Sequence, residues 1–211
     1  IDLRLKHIQK IEGSDLYKFT IYENTKDEYI TFCTPECASY IDSYIAQRKK
    51  AGEKITEESY LIRNDFDFLS PDKIRRPKPL TSQGLNSLLD RLSYQTELKK
   101  VNHKTENYKY QRHSKSLFHA FRKYFESTLA KCNVNYTQMK LLTGHSLGVE
   151  DHYIRLEARD LLPEYLKAVN ELTINEENRL KRKVEILTIE KSKVDLALAQ
   201  IEEMKKEIGL I

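Results

Sequence analysis

Residues 116–155 read S-L-F-H-A-F-R-K-Y-F-E-S-T-L-A-K-C-N-V-N-Y-T-Q-M-K-L-L-T-G-H-S-L-G-V-E-D-H-Y-I-R. The apolar residues that recur at helical spacing in its first part are Leu117, Phe118, Phe121, Phe125 and Leu129. They predict a helix over residues 116–131 with this stripe in the core. A second helix, about 136–143, is expected to end at Gly144 and to present His145 from the turn, and a short third helix would carry Tyr153.

Four side chains of this stretch suit chemistry on a phosphodiester. His119 and Arg122 lie side by side if the first segment is helical, because residues three apart share a face. With His145 and Tyr153 they supply two imidazoles, a cation for the non-bridging oxygens and a phenol nucleophile. Each residue alone also fits a structural role: a core-edge histidine, a surface cation, a helix-cap partner, or one of 13 tyrosines. The prediction therefore depends on the joint arrangement.

This order of H-x-x-R, G-H and Tyr resembles the tyrosine recombinase (phage integrase) family, in particular archaeal or phage integrases. Arg122 and His145 are 23 residues apart, and Tyr153 follows His145 by eight. The resemblance covers about residues 1–165 and implies an α+β, mostly helical fold. In that fold a small antiparallel sheet with a hairpin packs on a helical catalytic domain, and a long C-terminal helix would follow.

The resemblance also implies site-specific cleavage and rejoining of double-stranded DNA, as in the integration or excision of a mobile element. Tyr153 would attack the scissile phosphate, form a 3′-phosphotyrosine and release a 5′ hydroxyl, without metal, ATP or another cofactor. Arg122 would stabilise the transition-state charge, His119 would accept or shuttle the phenol proton, and His145 would donate to a non-bridging oxygen. Lys26 would protonate the departing oxygen. A type IB topoisomerase, or a non-catalytic DNA-binding module of the same fold, stays open as an alternative.

The first third of the chain predicts a small antiparallel sheet. Strands are expected at 5–11, 16–23 and 28–33, separated by turns rich in Gly, Asn and Asp. Lys26 then lies at a hairpin tip, with Lys18 further down the strand as the alternative. Thr34-Pro35-Glu36 marks the start of a helix that Gly52 ends.

A further helix is expected to begin at Thr81. Its predicted buried face consists of Leu85, Leu88, Leu89 and Leu92.

One feature of the resembled family has no match. The family carries another arginine in an R-x-x-E-L context on a helix before the first strand, and Arg4 lies in a different element. We therefore expect the chain to be a fragment with an incomplete site, which binds DNA weakly and cleaves it poorly or not at all.

Basic residues cluster around the proposed site. Residues 99–123 contain eight Lys or Arg and one acidic residue, and 72–78 contain four and one. Such clusters favour contact with a phosphate backbone, although a solvated loop is the plain alternative. The predicted DNA-binding residues are Lys99, Lys100, Lys104, Lys109, Arg112, Lys115, Lys123, Arg75 and Arg76.

Cysteine usage and hydropathy indicate a cytoplasmic, DNA-associated protein. Cys33, Cys37 and Cys132 lack the spacing of a zinc site or a disulfide framework and are expected to be reduced. No apolar run approaches the roughly 18–20 residues of a membrane span.

The C-terminal part, 166–211, is predicted to form a long helix and a separate unit from the catalytic domain, 1–165. Every seventh residue is apolar, at Leu180, Leu187, Val194, Ile201 and Ile208. This pattern favours a coiled coil that joins protomers into a dimer or tetramer on DNA, with packing against its own domain as the alternative. The intervening positions alternate between apolar residues and lysine, which would weaken the seam or restrict its partners.

Overall fold

The computed structural model describes residues 2–64, 70–96, 117–148 and 156–207. These residues form a mixed α+β fold that is mostly helical, with one small antiparallel sheet. The strands are β1 (Ile8–Lys10), β2 (Tyr17–Ile21) and β3 (Tyr29–Phe32), and a 3-10 turn at Leu5–His7 precedes β1. The helices are α1 (Pro35–Lys50), α2 (Pro71–Arg75), α3 (Ser82–Gln95), α4 (Leu117–Lys131), α5 (Tyr136–Leu142), α6 (Ala158–Leu172) and α7 (Glu176–Glu207).

The sheet has the order β1-β2-β3, so each strand pairs with its neighbour in sequence. In the register, Ile8 faces Phe19 and Thr20 faces Ile30. The first turn uses Gly13 at φ +73°, a conformation that favours glycine. The predicted meander is confirmed. Its first strand is shorter than expected because residues 5–7 form the 3-10 turn instead.

Helix α1 begins and ends where the sequence predicts. The side chain of Thr34 accepts a hydrogen bond from the Cys37 amide at 3.3 Å, and Pro35 occupies the first turn. At the other end, Gly52 follows the helix at φ +91°. Thr81 caps α3 in the same way, accepting from the Gly84 amide at 3.0 Å.

The core lies where β3 meets α4, α5 and α6. Tyr165 of α6 is buried at its centre, with its ring centroid 5.3 Å from that of Phe32 and 6.4 Å from that of Phe125. The other buried members of this cluster are Leu129, Val134, Leu142, Leu161, Ala168 and Val169. This core fixes the relative positions of β3, the C-terminal half of α4 and the end of α5.

The predicted apolar stripe of α4 is only half correct. Leu129 is buried and Phe125 is partly buried, but Phe118 and Phe121 are 43% and 57% exposed. The buried contacts of α4 lie in its second half, beside Tyr165. The first half therefore extends beyond the described core, and the side chain of Leu117 lies outside what the structure describes.

The predicted buried face of α3 is also partly wrong. Leu88 and Leu92 are exposed, whereas Ser93 is buried and donates a hydrogen bond to the Asp90 carbonyl at 2.7 Å. Leu85 and Leu89 are partly buried. The buried face of α3 is therefore narrower than its leucine spacing predicts, and it is partly polar.

An ionic network holds α1 to the segment that follows it. Glu53 bridges Arg48 and Arg63 with side-chain contacts of 2.6 and 2.7 Å, and all three residues are buried. Arg48 also donates to the carbonyls of Tyr60 and Leu61. This network anchors residues 60–63, which pair with the chain start at Arg4 and with Pro79.

Helix α7 begins after a short break at residues 173–175. The carboxylate of Glu36 accepts hydrogen bonds from the amides of Ile174 and Asn175, so α1 anchors the start of α7. From residue 183 to 205 every side chain is exposed. Helix α6 continues through residues 165 and 166, so the long helix starts ten residues after the expected division of the chain. None of the helices in the described ranges is long and apolar enough to cross a membrane.

Candidate functional site

Arg122 lies on the exposed side of α4, where its guanidinium has two protein partners. Nη2 donates to the carbonyl oxygen of Thr143 at the end of α5, and Nε donates to Oε1 of Glu126 at 3.4 Å. The Arg122 side chain is 49% exposed. A guanidinium has five N–H donors, and these bonds engage only some of them. The remaining donors can bind an anion from solution.

His145 reaches the same place from the turn after α5. Its Nδ1 is 3.1 Å from the Thr143 hydroxyl oxygen and 3.7 Å from Oε1 of Glu126. The Thr143 hydroxyl oxygen also lies 3.0 Å from the carbonyl oxygens of Met139 and Lys140, so its one hydrogen has three possible acceptors, these two carbonyls and Nδ1. When the hydroxyl donates to Nδ1, the ring proton is on Nε2, which is then the nitrogen that can donate to a ligand.

Gly144 explains why a G-H pair is needed here. Its φ is +68°, and a Cβ at this position would lie 2.6 Å from the ring of Tyr29. The end of α5 thus packs its bare backbone on the aromatic ring of β3. A larger residue would move either the ring or the His145 turn.

Tyr29 brings β3 to the edge of the site. Burial raises the pKa of its phenol, the neighbouring Tyr22 raises it further, and the charge of Arg122 partly opposes both effects. The two tyrosine rings lie 6.4 Å apart at the base of the hairpin. Tyr29 is therefore a neutral phenol within electrostatic range of Arg122.

Three residues of the cluster were not predicted from the sequence: Glu126, Thr143 and Tyr29. The contact of Glu126 with Arg122 could have been predicted, because Glu126 lies four residues after Arg122 and so shares its helix face. No sequence spacing relates Thr143 or Tyr29 to Arg122 in this way. Their positions depend on α5 packing against both α4 and β3, which only the tertiary structure provides.

His119 and Lys26 are less closely tied to this cluster. His119 is exposed one helical turn before Arg122 and makes no hydrogen bond or ion pair within the described ranges. Lys26 lies exposed in the turn between β2 and β3, beyond the Tyr22–Tyr29 pair at its base. The alternative, Lys18, is the second residue of β2, where it is partly buried opposite Phe32.

Several predicted residues lie outside the described residues. These are Tyr153, Lys99, Lys100, Lys104, Lys109, Arg112 and Lys115. Of the other predicted DNA contacts, Lys123 is exposed on α4 next to Arg122. Arg75 and Arg76 are exposed at the end of α2.

Arg4 does not join the cluster. Its guanidinium bonds to Asp2 at 3.1 Å and Glu58 at 3.2 Å and lies over the ring of Tyr60. Arg4 thus belongs to the chain start, where it pairs with the segment at Tyr60.

Outside this cluster, Cys33 and Cys37 form a thiol pair. The hydrogen bond from the Cys33 thiol lowers the pKa of Cys37 to about 7. The three cysteines are free, and the described ranges contain no group of three His, Cys, Asp or Glu side chains that could hold a metal ion.

The arrangement around Arg122 is therefore an exposed cluster of a cation, a carboxylate and a histidine, in which part of the guanidinium is left for a ligand. An internal carboxylate, Glu126, already lies between the guanidinium and the imidazole. In comparisons with known proteins, no family model, no curated protein and no solved structure matches this chain.

Proposed function

We propose that the cluster of Arg122 and His145 binds a phosphate of double-stranded DNA, and that the chain cleaves and rejoins DNA through a tyrosyl phosphodiester as a tyrosine recombinase does. The observation that carries the proposal is the meeting of Arg122 and His145. They are 23 residues apart in sequence, yet both contact Thr143 and Glu126 on an exposed surface.

The donor geometry supports phosphate as the ligand. An arginine with free donors binds phosphate oxygens in a forked, bidentate manner. His145 Nε2 would face a second oxygen. Glu126 shows that these donors bind carboxylate oxygens, and a phosphate would have to compete with it for Arg122.

The proposed reaction assigns one role to each remaining residue. The Tyr153 phenol would attack phosphorus, and the 5′ oxygen would leave with a proton from Lys26. His119 would take the phenol proton, since a phenol with an ordinary pKa of about 10 needs such help near neutral pH. The bond energy would stay in the phosphotyrosine, ready for return attack by a 5′ hydroxyl.

DNA binding is tested by titrating a labelled duplex with the native chain and with Arg122→Ala over a range of salt concentrations. Loss of one phosphate contact should weaken binding and reduce the slope of log K against log salt by about one. Lys131→Ala is the matched control, because Lys131 is an exposed cation at the far end of the same helix. If Arg122→Ala and Lys131→Ala bound the duplex with the same affinity and the same salt slope, a phosphate site at Arg122 would be contradicted.

Cleavage is tested with nicked duplexes of mixed sequence, which trap a covalent complex when the cleaved end diffuses away. Because the site lacks the upstream arginine of the resembled family, the proposal predicts a low yield of a complex that survives denaturant, maps to Tyr153 and disappears in Tyr153→Phe. Tyr40→Phe is the control and should keep it, because Tyr40 is exposed on α1 and takes no part in the cluster. Binding without any adduct would support the non-catalytic module, and efficient plasmid relaxation without strand exchange would support a topoisomerase.

A further inference from the structure

Helix α7 presents an unpartnered apolar seam along its length. It spans 32 residues, about 48 Å at a rise of 1.5 Å per residue. Leu180, Val184, Leu187, Val194, Leu198 and Ile201 follow the alternating three- and four-residue spacing of a heptad repeat, and all are exposed. Most of the stability of a helix in a protein comes from packing of its apolar face, which favours a partner on this seam.

The body of the protein leaves the seam free. The α7 side chains that are partly buried near its start are Arg179 and Arg182. Arg179 donates to the carbonyl of Thr173 at 2.8 Å. These two residues lie on the opposite side of the heptad from Leu180 and Val184. The helix is therefore held by its polar side while its apolar side faces outward.

We propose that the seam binds α7 of a second copy of this chain in the antiparallel direction. The proposal does not depend on the DNA chemistry proposed above. In the register we assign, Val184 faces Ile201 of the second copy and Leu187 faces Leu198. The seam lysines then face apolar residues, with Lys191 opposite Val194 and its stem able to lie along the neighbouring side chains.

A parallel pair of α7 helices would bring more like charges together than the antiparallel pair does. An in-register parallel pair would place Lys191 against Lys191 and Lys205 against Lys205 inside the seam. It would also place two acidic residues, Glu190 and Asp195, opposite each other at the flanking positions, where their like charges repel. The antiparallel register instead places Lys181 opposite Glu202, twice by symmetry, and sets no like charges against each other at the flanking positions.

The antiparallel pair also separates the two bodies. Each body is attached at the start of its own α7, where Glu36 caps the segment before the helix. In this register the two helix starts, at Glu176 of each chain, lie about 50 Å apart along the axis. The dimer would thus hold two candidate sites at a fixed spacing.

Association is tested by sedimentation of the full chain. We expect a concentration-dependent dimer, and Leu187→Asp should raise its dissociation constant at least about tenfold, because it places a charge in the seam. Leu196→Asp is the matched control: Leu196 is 67% exposed on the face away from the seam. A monomer at all concentrations, or equal loss in both variants, would overturn the proposal.

Orientation is tested by charge exchange and by cross-linking. Lys181→Glu and Glu202→Lys should each weaken the dimer, and the double variant should restore it. Under oxidation, a mixture of Leu187→Cys and Leu198→Cys chains should form a disulfide dimer that neither variant forms alone. The native chain controls for Cys33, Cys37 and Cys132. A disulfide formed by Leu187→Cys alone would show parallel pairing and contradict the assignment.

Discussion

Arg48 and Arg63 are buried around Glu53, whereas Arg122 is half exposed beside Glu126 and His145. Both regions pair arginine with glutamate, but they differ in what is left for a ligand. In the buried network the carboxylate is held by two cations and Arg48 also binds backbone carbonyls. Around Arg122 one carboxylate is shared by an arginine and a histidine, and part of the guanidinium faces solvent.

This difference separates a structural role from a binding role. A buried charge must be matched by its neighbours, because an uncompensated charge in the interior costs several kcal/mol. An exposed cation needs no such match and keeps donors for solvent or a ligand. The number of arginines alone would not distinguish the two regions, but their burial and bonding do.

The largest expected effect is the loss of the buried carboxylate. Glu53→Gln leaves Arg48 and Arg63 without a counter-charge and should reduce the free energy of unfolding by about 3–5 kcal/mol. Denaturant unfolding at neutral pH measures it. A loss below about 1 kcal/mol would mean that the network is not buried as described.

The same network predicts a loss of stability in acid. Burial alone would raise the pKa of Glu53, but the hydrogen bonds and charges of Arg48 and Arg63 outweigh it and hold the pKa below its ordinary value of 4.5. A carboxyl with a lowered folded pKa stabilises the fold above its unfolded pKa. This contribution is lost as the pH falls through the folded pKa.

The measurement is the free energy of unfolding of the native chain and of Glu53→Gln from pH 7 down to pH 3. The difference between the two should shrink as the pH falls below about 4.5. A difference that stays constant with pH would contradict an ionised Glu53 in the folded state.

A smaller effect is expected at the turn that presents His145. Gly144→Ala forces a side chain into φ +68° and against Tyr29, so it should cost about 1–3 kcal/mol and weaken DNA binding. Gly13→Ala is the matched control, with φ +73° and open space where the Cβ would lie. It should cost about 1 kcal/mol from the backbone alone. Equal effects on stability and DNA binding would show that the Tyr29 contact is unimportant.

The smallest effect on stability is expected at the exposed cluster. Glu126→Gln should change the free energy of unfolding by no more than about 1 kcal/mol, because its partners are partly solvated. It should also tighten DNA binding, since it removes the carboxylate that competes for Arg122. Duplex titration checks this, and weaker binding would show that Glu126 mainly orients the arginine.

The sequence predicted local features best. The caps at Thr34 and Thr81, the meander and the turn at Gly144 follow from short patterns whose physical causes are local. The leucines of α3 were assigned to a buried face by spacing alone, and two of them are exposed. Helical periodicity shows which residues share a face, but not how far along the helix a neighbour covers it.

The candidate site was predictable only in outline. Spacing placed Arg122 and His145 near each other, and they share Thr143 and Glu126 as partners. Tyr29 comes from a strand more than 90 residues earlier and has no motif of its own. Its contact with Gly144 arises from packing, which a single sequence does not encode in any local pattern.

The most direct test of the contrast between the two regions is the salt dependence of duplex binding by Arg122→Ala, measured on protein whose unfolding is checked in the same buffer. We predict a loss of stability of no more than about 1 kcal/mol. Binding should be weaker, with a salt slope reduced by about one phosphate contact. Unchanged affinity and slope with a correctly folded variant would contradict the assignment of the exposed cluster as the DNA-phosphate site.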